Sequence, residues 1–183
     1  MALTFAIAIA VGFGTSLYML ENGRQITAKQ YGPWYGWPDA GIADIDPYLK
    51  AYLARSSSLQ MGRAEGVIFA ANTDDLGEPL TGSCSYTIEG KTPQASVWSM
   101  FIDQKSGEDD TPNVTYLLSS EINWNADQTF SIYIAPTVKA GNWLEMPNAE
   151  FVQFNLTFYD TNAFNIVGQE LESLPSINKV ECS

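Results

Sequence analysis

The feature that most constrains this chain is an uncharged run at its N-terminal end. Residues 3–20 carry no charged side chain, whereas all nine Lys and Arg residues and all 21 Asp and Glu residues follow them. As a helix rising ~1.5 Å per residue, the run reaches about 27 Å, close to the hydrocarbon thickness of a bilayer. No later segment stays apolar for so long. The sequence therefore predicts one transmembrane anchor over residues 1–21, with residues 3–20 in contact with the lipid bilayer.

A cleaved signal peptide is the alternative interpretation of this run. Signal peptides usually begin with Lys or Arg, have a shorter apolar core and end at a small-x-small cleavage site. Here no basic residue precedes the core, and its small pairs, such as Ala8 with Ala10, lie inside the run. These features favour an uncleaved anchor.

The side of the membrane that holds the rest of the chain is indicated by opposing signals. Arg24 and Lys29 follow the run against Glu21 alone, which under the positive-inside rule favours a cytoplasmic domain. Against this stand the lack of His, the formal charge of −12 and an even number of cysteines, Cys84 and Cys182. Two cysteines can close one disulfide in an oxidising compartment, and a free pair in a reducing compartment is the alternative. We predict a Cys84–Cys182 bridge in a domain on the non-cytoplasmic side.

Charge and composition also restrict the chemistry of the domain. A net charge of −12 argues against nucleic acid as a partner, because nucleic-acid binding depends on basic patches that release counterions. Without His, a zinc centre is disfavoured and a Ser nucleophile lacks its usual base. The acidic group Asp74, Asp75 and Glu78 does not follow the twelve-residue calcium-loop pattern, and we interpret it as a turn. The sequence therefore predicts no catalysis, no metal and no cofactor.

Four aromatic residues lie close together after the uncharged run. They are Tyr31, Trp34, Tyr35 and Trp37, interrupted by Gly and Pro residues that exclude a regular helix or central strand. Beside a membrane, they predict a docking surface for subunits of a membrane protein complex, carried on a linker over residues 22–44. The alternative is that the tryptophans fold back and cover the edge of the domain.

Residues 45–183 begin with the signals of a single helix. Asp46 is a typical N-cap residue, and Pro47 suits the first helical position. The apolar residues that come next lie on one helical face until a glycine ends the pattern. These signals predict a helix over about residues 47–60.

After this helix the apolar period changes to two, as in β-strands. The segments around Phe69 and Tyr86 are separated by the acidic turn and predict a hairpin with Cys84 on its buried face. Residues 97–102 are apolar on both faces and predict a central strand. Later apolar residues at alternate positions are Phe130, Ile132, Ile134, Val152, Phe154, Leu156 and Phe158. The pattern predicts a mainly β fold, an antiparallel β-sandwich or jelly-roll-like domain over 45–183.

Several short motifs within residues 45–165 carry a family resemblance. They are Ala64-Glu65-Gly66, Asp74 or Asp75 with Gly77, Leu80-x-Gly82, Trp98-Ser99, Gly141-Asn142-Trp143-Leu144 and Phe154-x-Leu156-x-Phe158-Tyr159-Asp160. Together they resemble the bacterial family known as domain of unknown function 1214, and the Asn-Trp-Leu element is the most specific of them.

The resemblance implies a β-sandwich and, in short members, a single N-terminal span. With the signals above, it implies a bacterial inner-membrane protein whose soluble domain is periplasmic. Two positions depart from the family pattern: Glu145 stands where a proline is usual, and Thr157 where an arginine is usual. The second departure puts in doubt any ligand that this arginine holds, and the family name implies no activity.

Two functions are compatible with these observations. The first is a single-pass, non-catalytic accessory or assembly subunit of a larger membrane protein complex, presenting an acidic sandwich outside the membrane. The second is a periplasmic domain that binds a small ligand or hydrolyses a small substrate in a pocket lined by Trp98, Trp124, Asn142 and Trp143. The lack of any nucleophile-base motif favours the first.

Overall fold

The computed structural model of the chain contains three helices and ten strands within the residues that it describes. These residues are 2–38, 40–41, 44–55, 61, 65–104, 115–161 and 174–182, with residues 20, 21, 25 and 26 described through their backbone alone. The elements in chain order are α1 (Ala2–Glu21), α2 (Gly23–Thr27), β1 (Lys29–Tyr31), β2 (Trp34–Gly36), α3 (Pro47–Arg55), β3 (Gly66–Ala71), β4 (Cys84–Gly90), β5 (Val97–Gln104), β6 (Tyr116–Leu118), β7 (Phe130–Ala135), β8 (Asn142–Glu145), β9 (Val152–Tyr159) and β10 (Ser176–Cys182).

The strands form two sheets. One has six strands in the order β1-β2-β3-β9-β5-β6, and the other has four in the order β10-β4-β7-β8. Neighbouring strands run antiparallel except for β7 and β8, which are parallel. The predicted mainly β sandwich with an N-terminal helix is confirmed.

The core between the sheets follows the predicted alternation. Tyr86 and Ile88 of β4 are buried, as are Phe154 and Phe158 of β9. The rings of Tyr86 and Phe154 meet edge to face, with centroids 5.6 Å apart, and so join the two sheets. Residues at every second position of a strand point to the same face, which is why this pattern was readable from the sequence.

A second, smaller apolar cluster covers the opposite face of the six-stranded sheet. Tyr35 of β2 and Ala70 of β3 lie side by side on this face, and Trp37 and Leu49 pack with them. Leu49 belongs to α3, so this helix lies on the outer face of the sheet beside β2 and β3. α3 therefore covers the apolar side chains that β2 and β3 present on this face.

Helix α3 begins as predicted. The Asp46 carboxylate accepts hydrogen bonds from the backbone N–H groups of Tyr48 and Leu49 at 2.9 and 3.0 Å. This is N-cap geometry, and it satisfies N–H groups that the helix itself leaves unpaired. The helix is described to Arg55, and the predicted extension over residues 56–60 lies outside the described residues.

The predicted hairpin between the segments around Phe69 and Tyr86 was wrong. β3 lies in the six-stranded sheet beside β9, whereas β4 lies in the four-stranded sheet between β10 and β7. The chain between them forms an isolated bridge from Thr73 to Pro79 and then buries Leu80. Leu80 is buried between the sheets, where the chain crosses from one sheet to the other. Cys84 lies on the buried face, as predicted.

The segment predicted as a linker, residues 22–44, contains regular structure. β1 and β2 form a short hairpin, with Gly32 in its turn at φ +59°, a conformation that favours glycine. β2 then extends the six-stranded sheet, with Trp34 opposite Ala71 and Gly36 opposite Phe69. Pro33 lies in the turn before β2 and Gly36 is the last residue of β2, so neither interrupts the middle of a strand.

Candidate functional site

The four aromatic residues predicted to form a docking surface are largely inside the domain. Trp34 is 0% exposed, and its indole N–H donates to the backbone carbonyl of Pro175 at 2.7 Å. Tyr35 and Trp37 are buried on the other face of the sheet. The ring of Tyr31 packs edge to face on that of Phe69, with the ring centroids 5.6 Å apart. The structure therefore corresponds to the alternative, in which the tryptophans cover the domain edge, because sheet pairing places their side chains against apolar partners.

The predicted pocket residues fall into two groups. Trp98, Trp124 and Phe130 form an aromatic cluster, with Trp98 buried and Trp124 44% exposed. The ring centroids of the two tryptophans are 6.0 Å apart, and Trp124 lies 5.5 Å from Phe130. This cluster closes one end of the core and leaves part of one ring at the surface.

The side chains of Asn142 and Trp143 bond to backbone groups of neighbouring segments. The Asn142 amide donates to the carbonyls of Asn123 and Ser131 at 3.0 Å each, and its oxygen accepts the N–H of Asn123. The Trp143 indole donates to the carbonyl of Ala135 at 3.1 Å. Both side chains fasten neighbouring segments to β8, which is a structural role.

Two adjoining cavities lie instead at the end of β3, and the smaller of them reaches α2. The larger, about 260 Å³, lies beside Leu80 and Phe151, and the smaller, about 160 Å³, lies beside Arg24 and Tyr35. Asn72 and Thr73, at the end of β3, line both. We call the two together the Asn72 cleft.

A chain of hydrogen bonds forms the polar wall of the Asn72 cleft. The Asn72 amide donates to the Tyr35 hydroxyl at 3.2 Å, and this hydroxyl donates to the Gln153 amide oxygen at 3.2 Å. The Gln153 NH₂ group donates in turn to the Asn155 amide oxygen at 2.8 Å. Neighbouring strands β2, β3 and β9 bring these residues together from distant parts of the sequence.

A cation lines the smaller cavity of the cleft. The guanidinium of Arg24 lies over the ring of Tyr35, 4.7 Å from its centroid, in a cation–π arrangement. Nearby, burial raises the pKa of the Tyr52 hydroxyl, the neighbouring Tyr35 raises it further, and Arg24 opposes the shift. The cleft therefore combines a positive end with amide and hydroxyl groups.

The acidic group beside the cleft is a turn, as the sequence predicts. Asp74 is 2% exposed, and its Oδ1 accepts the N–H groups of Leu76 and Glu78 at 3.0 and 2.9 Å. Asp75 Oδ2 accepts the N–H of Ile177 at 2.8 Å. Within the described residues, no three His, Cys, Asp or Glu side chains are grouped as they are around a metal ion.

The cleft residues were not identified from the sequence. Asn72, Gln153 and Arg24 belong to no motif, and each type is common on protein surfaces. Their only sequence signal is position, because Asn72 directly follows β3 and Gln153 lies next to the first residue of β9. These positions identify a cleft only when the strand pairing that brings them together is known.

The predicted bridge between Cys84 and Cys182 is present in the structure. The two residues lie opposite each other on β4 and β10, so the bridge fastens the edge strand β10 to its neighbour β4. The disulfide joins strands of the four-stranded sheet, whereas the strand residues that line the Asn72 cleft belong to the six-stranded sheet.

Together these features define a β-sandwich protein with an apolar N-terminal helix and a cleft at the end of β3. Residues 65–163, just over half of the chain, match the family described as protein of unknown function (DUF1214), and the chain belongs to that family. In this chain, Thr157 is buried in β9 and Glu145 is exposed at the end of β8.

Two crystal structures have the same fold. The VPA0106 protein from Vibrio parahaemolyticus superposes with a TM-score of 0.63 at 17% identity, covering 99% of this chain and 46% of that one. An uncharacterized protein from Burkholderia cenocepacia gives a TM-score of 0.50 at 16% identity, covering 95% of this chain and 42% of that one. This chain thus spans less than half the length of both structures. No curated protein matches it.

Proposed function

We propose that this protein is a single-pass, membrane-anchored accessory subunit of a larger membrane protein complex, without catalytic activity. In this proposal α1 crosses a bacterial inner membrane and the acidic sandwich lies on the periplasmic side. Basic proteins are then suitable partners for the sandwich, since the chain has a formal charge of −12.

The character of α1 supports the anchor. The helix segment Ala2–Met19 is long and apolar enough to cross a membrane, and none of it is buried in the protein. A helix that is apolar on all sides needs a nonpolar environment, which lipid supplies. Some signal sequences are also long and apolar enough to meet this criterion, so the contact between the end of α1 and the domain is a second, independent argument for the anchor.

The observation that carries the proposal is the contact between the end of α1 and the domain, which we call the helical joint. α1 itself contacts α3, and α2, which begins at Gly23 two residues after α1 ends, packs on α3 as well. The indole N–H of Trp37 donates to the Thr27 hydroxyl at 3.0 Å, and the Trp37 ring lies 5.5 Å from Tyr52. A segment that is removed after secretion has no need of such packing, whereas an anchor that orients a domain does.

Purification of the tagged full-length chain from native membranes tests the proposal. We expect the intact mass to include residues 1–21 and membrane proteins to co-purify in fixed stoichiometry. A mature chain that begins after α1, or a chain that purifies alone, would contradict it.

A variant of the helical joint sharpens this test. An added Cβ at Gly23 would lie 2.7 Å from Tyr52 Cδ2, so Gly23→Ala forces α2 away from α3. We expect Gly23→Ala to reduce the co-purifying proteins and Tyr48→Ala, an exposed change on α3, to leave them unchanged. Equal recovery with both variants would show that the orientation of the sandwich does not matter for assembly.

A further inference from the structure

The Asn72 cleft lies next to the helical joint. Arg24, which lines the smaller cavity, belongs to α2 and lies three residues after the end of α1. If α1 is in a membrane, this cavity is therefore close to the lipid headgroups. The position gives the cleft access both to the membrane surface and to solution.

The two cavities differ in chemical character. The smaller is lined by Arg24, Gln30 and Tyr35. The Tyr35 hydroxyl already donates to Gln153, whereas the Gln30 NH₂ group donates one N–H to the Gly32 carbonyl at 2.7 Å and has a second N–H to offer beside the guanidinium. No carboxylate among the described side chains pairs with Arg24, whose contact is the Tyr35 ring. A guanidinium with neighbouring donors is suited to a carboxylate or phosphate.

The larger cavity is mainly apolar. Leu80 and Val152 are buried in its wall, while Pro79 and the half-exposed ring of Phe151 lie at its rim. At about 260 and 160 Å³, the cavities are small compared with the ~300–1,000 Å³ of drug-sized sites, and they suit a short aliphatic chain beside a compact polar group.

We propose that the Asn72 cleft binds a small amphiphile with an anionic head and an aliphatic chain. The head lies at Arg24 and Gln30, and the chain lies between Leu80 and Phe151. The anionic head comes either from a membrane lipid or from a soluble alkyl phosphate or fatty acid. This role is independent of the accessory function, since it needs no partner protein.

Octyl phosphate is a suitable probe for the full-length chain in nanodiscs of neutral phosphatidylcholine. In ¹⁵N-labelled protein, the side-chain amide resonances of Asn72 and Gln30 report the cleft directly and are insensitive to probe dissolved elsewhere in the bilayer. We expect these resonances to shift saturably with octyl phosphate. Inorganic phosphate and octanol should each bind at least about tenfold more weakly, since each fills one cavity only.

Matched variants separate the two ends of the site. Arg24→Gln should weaken octyl phosphate binding about tenfold and leave octanol binding unchanged, whereas Arg24→Lys should retain most of the affinity for octyl phosphate. Lys50→Gln, on the exposed side of α3, should have no effect on either ligand. Phe151→Ala should weaken both ligands, whereas Tyr116→Ala, an exposed aromatic on β6, should weaken neither.

The source of the head group is tested with nanodiscs that contain phosphatidic acid. A lipid occupant shifts the Asn72 and Gln30 resonances without added probe, whereas a soluble occupant leaves them unshifted and leaves octyl phosphate binding intact. Both results support the site. Absence of a saturable shift with octyl phosphate, or equal affinity in a folded Arg24→Gln variant, would overturn the proposal.

Discussion

At the scale of single residues, Asp74 stabilises the turn in the segment between β3 and β4. One carboxylate oxygen accepts two backbone N–H groups of the adjoining turn, and the side chain is buried there. The other oxygen, Oδ2, has no hydrogen-bond partner among the described residues. The acidic group thus contains a buried carboxylate at Asp74, an exposed residue at Asp75 whose carboxylate bonds to β10, and an exposed Glu78.

Removal of the Asp74 carboxylate should therefore destabilise the domain. Asp74→Ala leaves the N–H groups of Leu76 and Glu78 without their acceptor, and we expect the unfolding free energy to fall by about 1–3 kcal/mol. Glu78→Ala removes an exposed side chain in the same turn and should change it by less than ~0.5 kcal/mol. Denaturant unfolding of the purified chain measures both, and equal stability of the two variants would refute the role of Asp74.

Tyr52 predicts a specific dependence on pH. Burial, with a further contribution from Tyr35, raises its pKa above the ordinary tyrosine value of ~10. A raised pKa in the folded state stabilises the protein below the unfolded pKa, and this stabilisation is lost as the pH rises through the folded pKa. We expect the melting temperature to fall above about pH 10, and to fall less steeply in Tyr52→Phe.

The matched control is Tyr48→Phe, an exposed tyrosine on the same helix. If Tyr52→Phe and Tyr48→Phe have the same slope, burial of Tyr52 does not contribute to the alkaline transition.

At the scale of elements, the β1–β2 hairpin is part of the sandwich. Trp34 reaches the core from β2, and its indole bonds to Pro175, just before β10 of the other sheet. The hairpin therefore helps to hold the two sheets together. This role differs from the predicted docking surface, which required the tryptophans to be dispensable for folding.

The expected consequence is a large loss of stability on truncation of Trp34. Trp34→Ala should lower the unfolding free energy by about 3–5 kcal/mol, because it leaves a cavity and an unpaired carbonyl. Trp124→Ala, at a ring that is 44% exposed, should have a clearly smaller effect. Thermal unfolding followed by near-UV circular dichroism compares them; an unchanged melting temperature in Trp34→Ala would restore the docking interpretation.

At the scale of the whole molecule, the disulfide closes most of the domain into one loop. Cys84 and Cys182 are 98 residues apart in the sequence, and their bridge fastens the last strand to β4. In the chain-entropy model, a loop of this length contributes ~4–5 kcal/mol. The bridge is consistent with an oxidising compartment, where structural disulfides persist.

The Cys84→Ser, Cys182→Ser double variant should lose about 2–5 kcal/mol of unfolding free energy, and its β10 amides should exchange with solvent faster than those of β9. Hydrogen exchange measures the second effect independently of global stability. Peptide mapping without reductant, on protein from its native membrane, checks the bridge itself. Two free thiols there would contradict both the bridge and the proposed periplasmic location.

Much of the fold was predictable from local sequence patterns. The alternation in β9, the N-cap at Asp46 and the uncharged run each depend on residues a few positions apart, and strand or helix geometry converts such spacing directly into a buried face or a cap. The family motifs were equally readable, since residues 65–163 match the family.

Only the tertiary structure decided which elements meet. It separated β3 from β4, placed Trp34 in the core and assembled the cleft from Arg24, Asn72 and Gln153. These outcomes depend on packing between distant segments, where one buried side chain such as Leu80 decides whether the chain turns back or crosses to the other sheet. Local periodicity specifies which face of a strand is buried, but it contains no information about the partner that buries it.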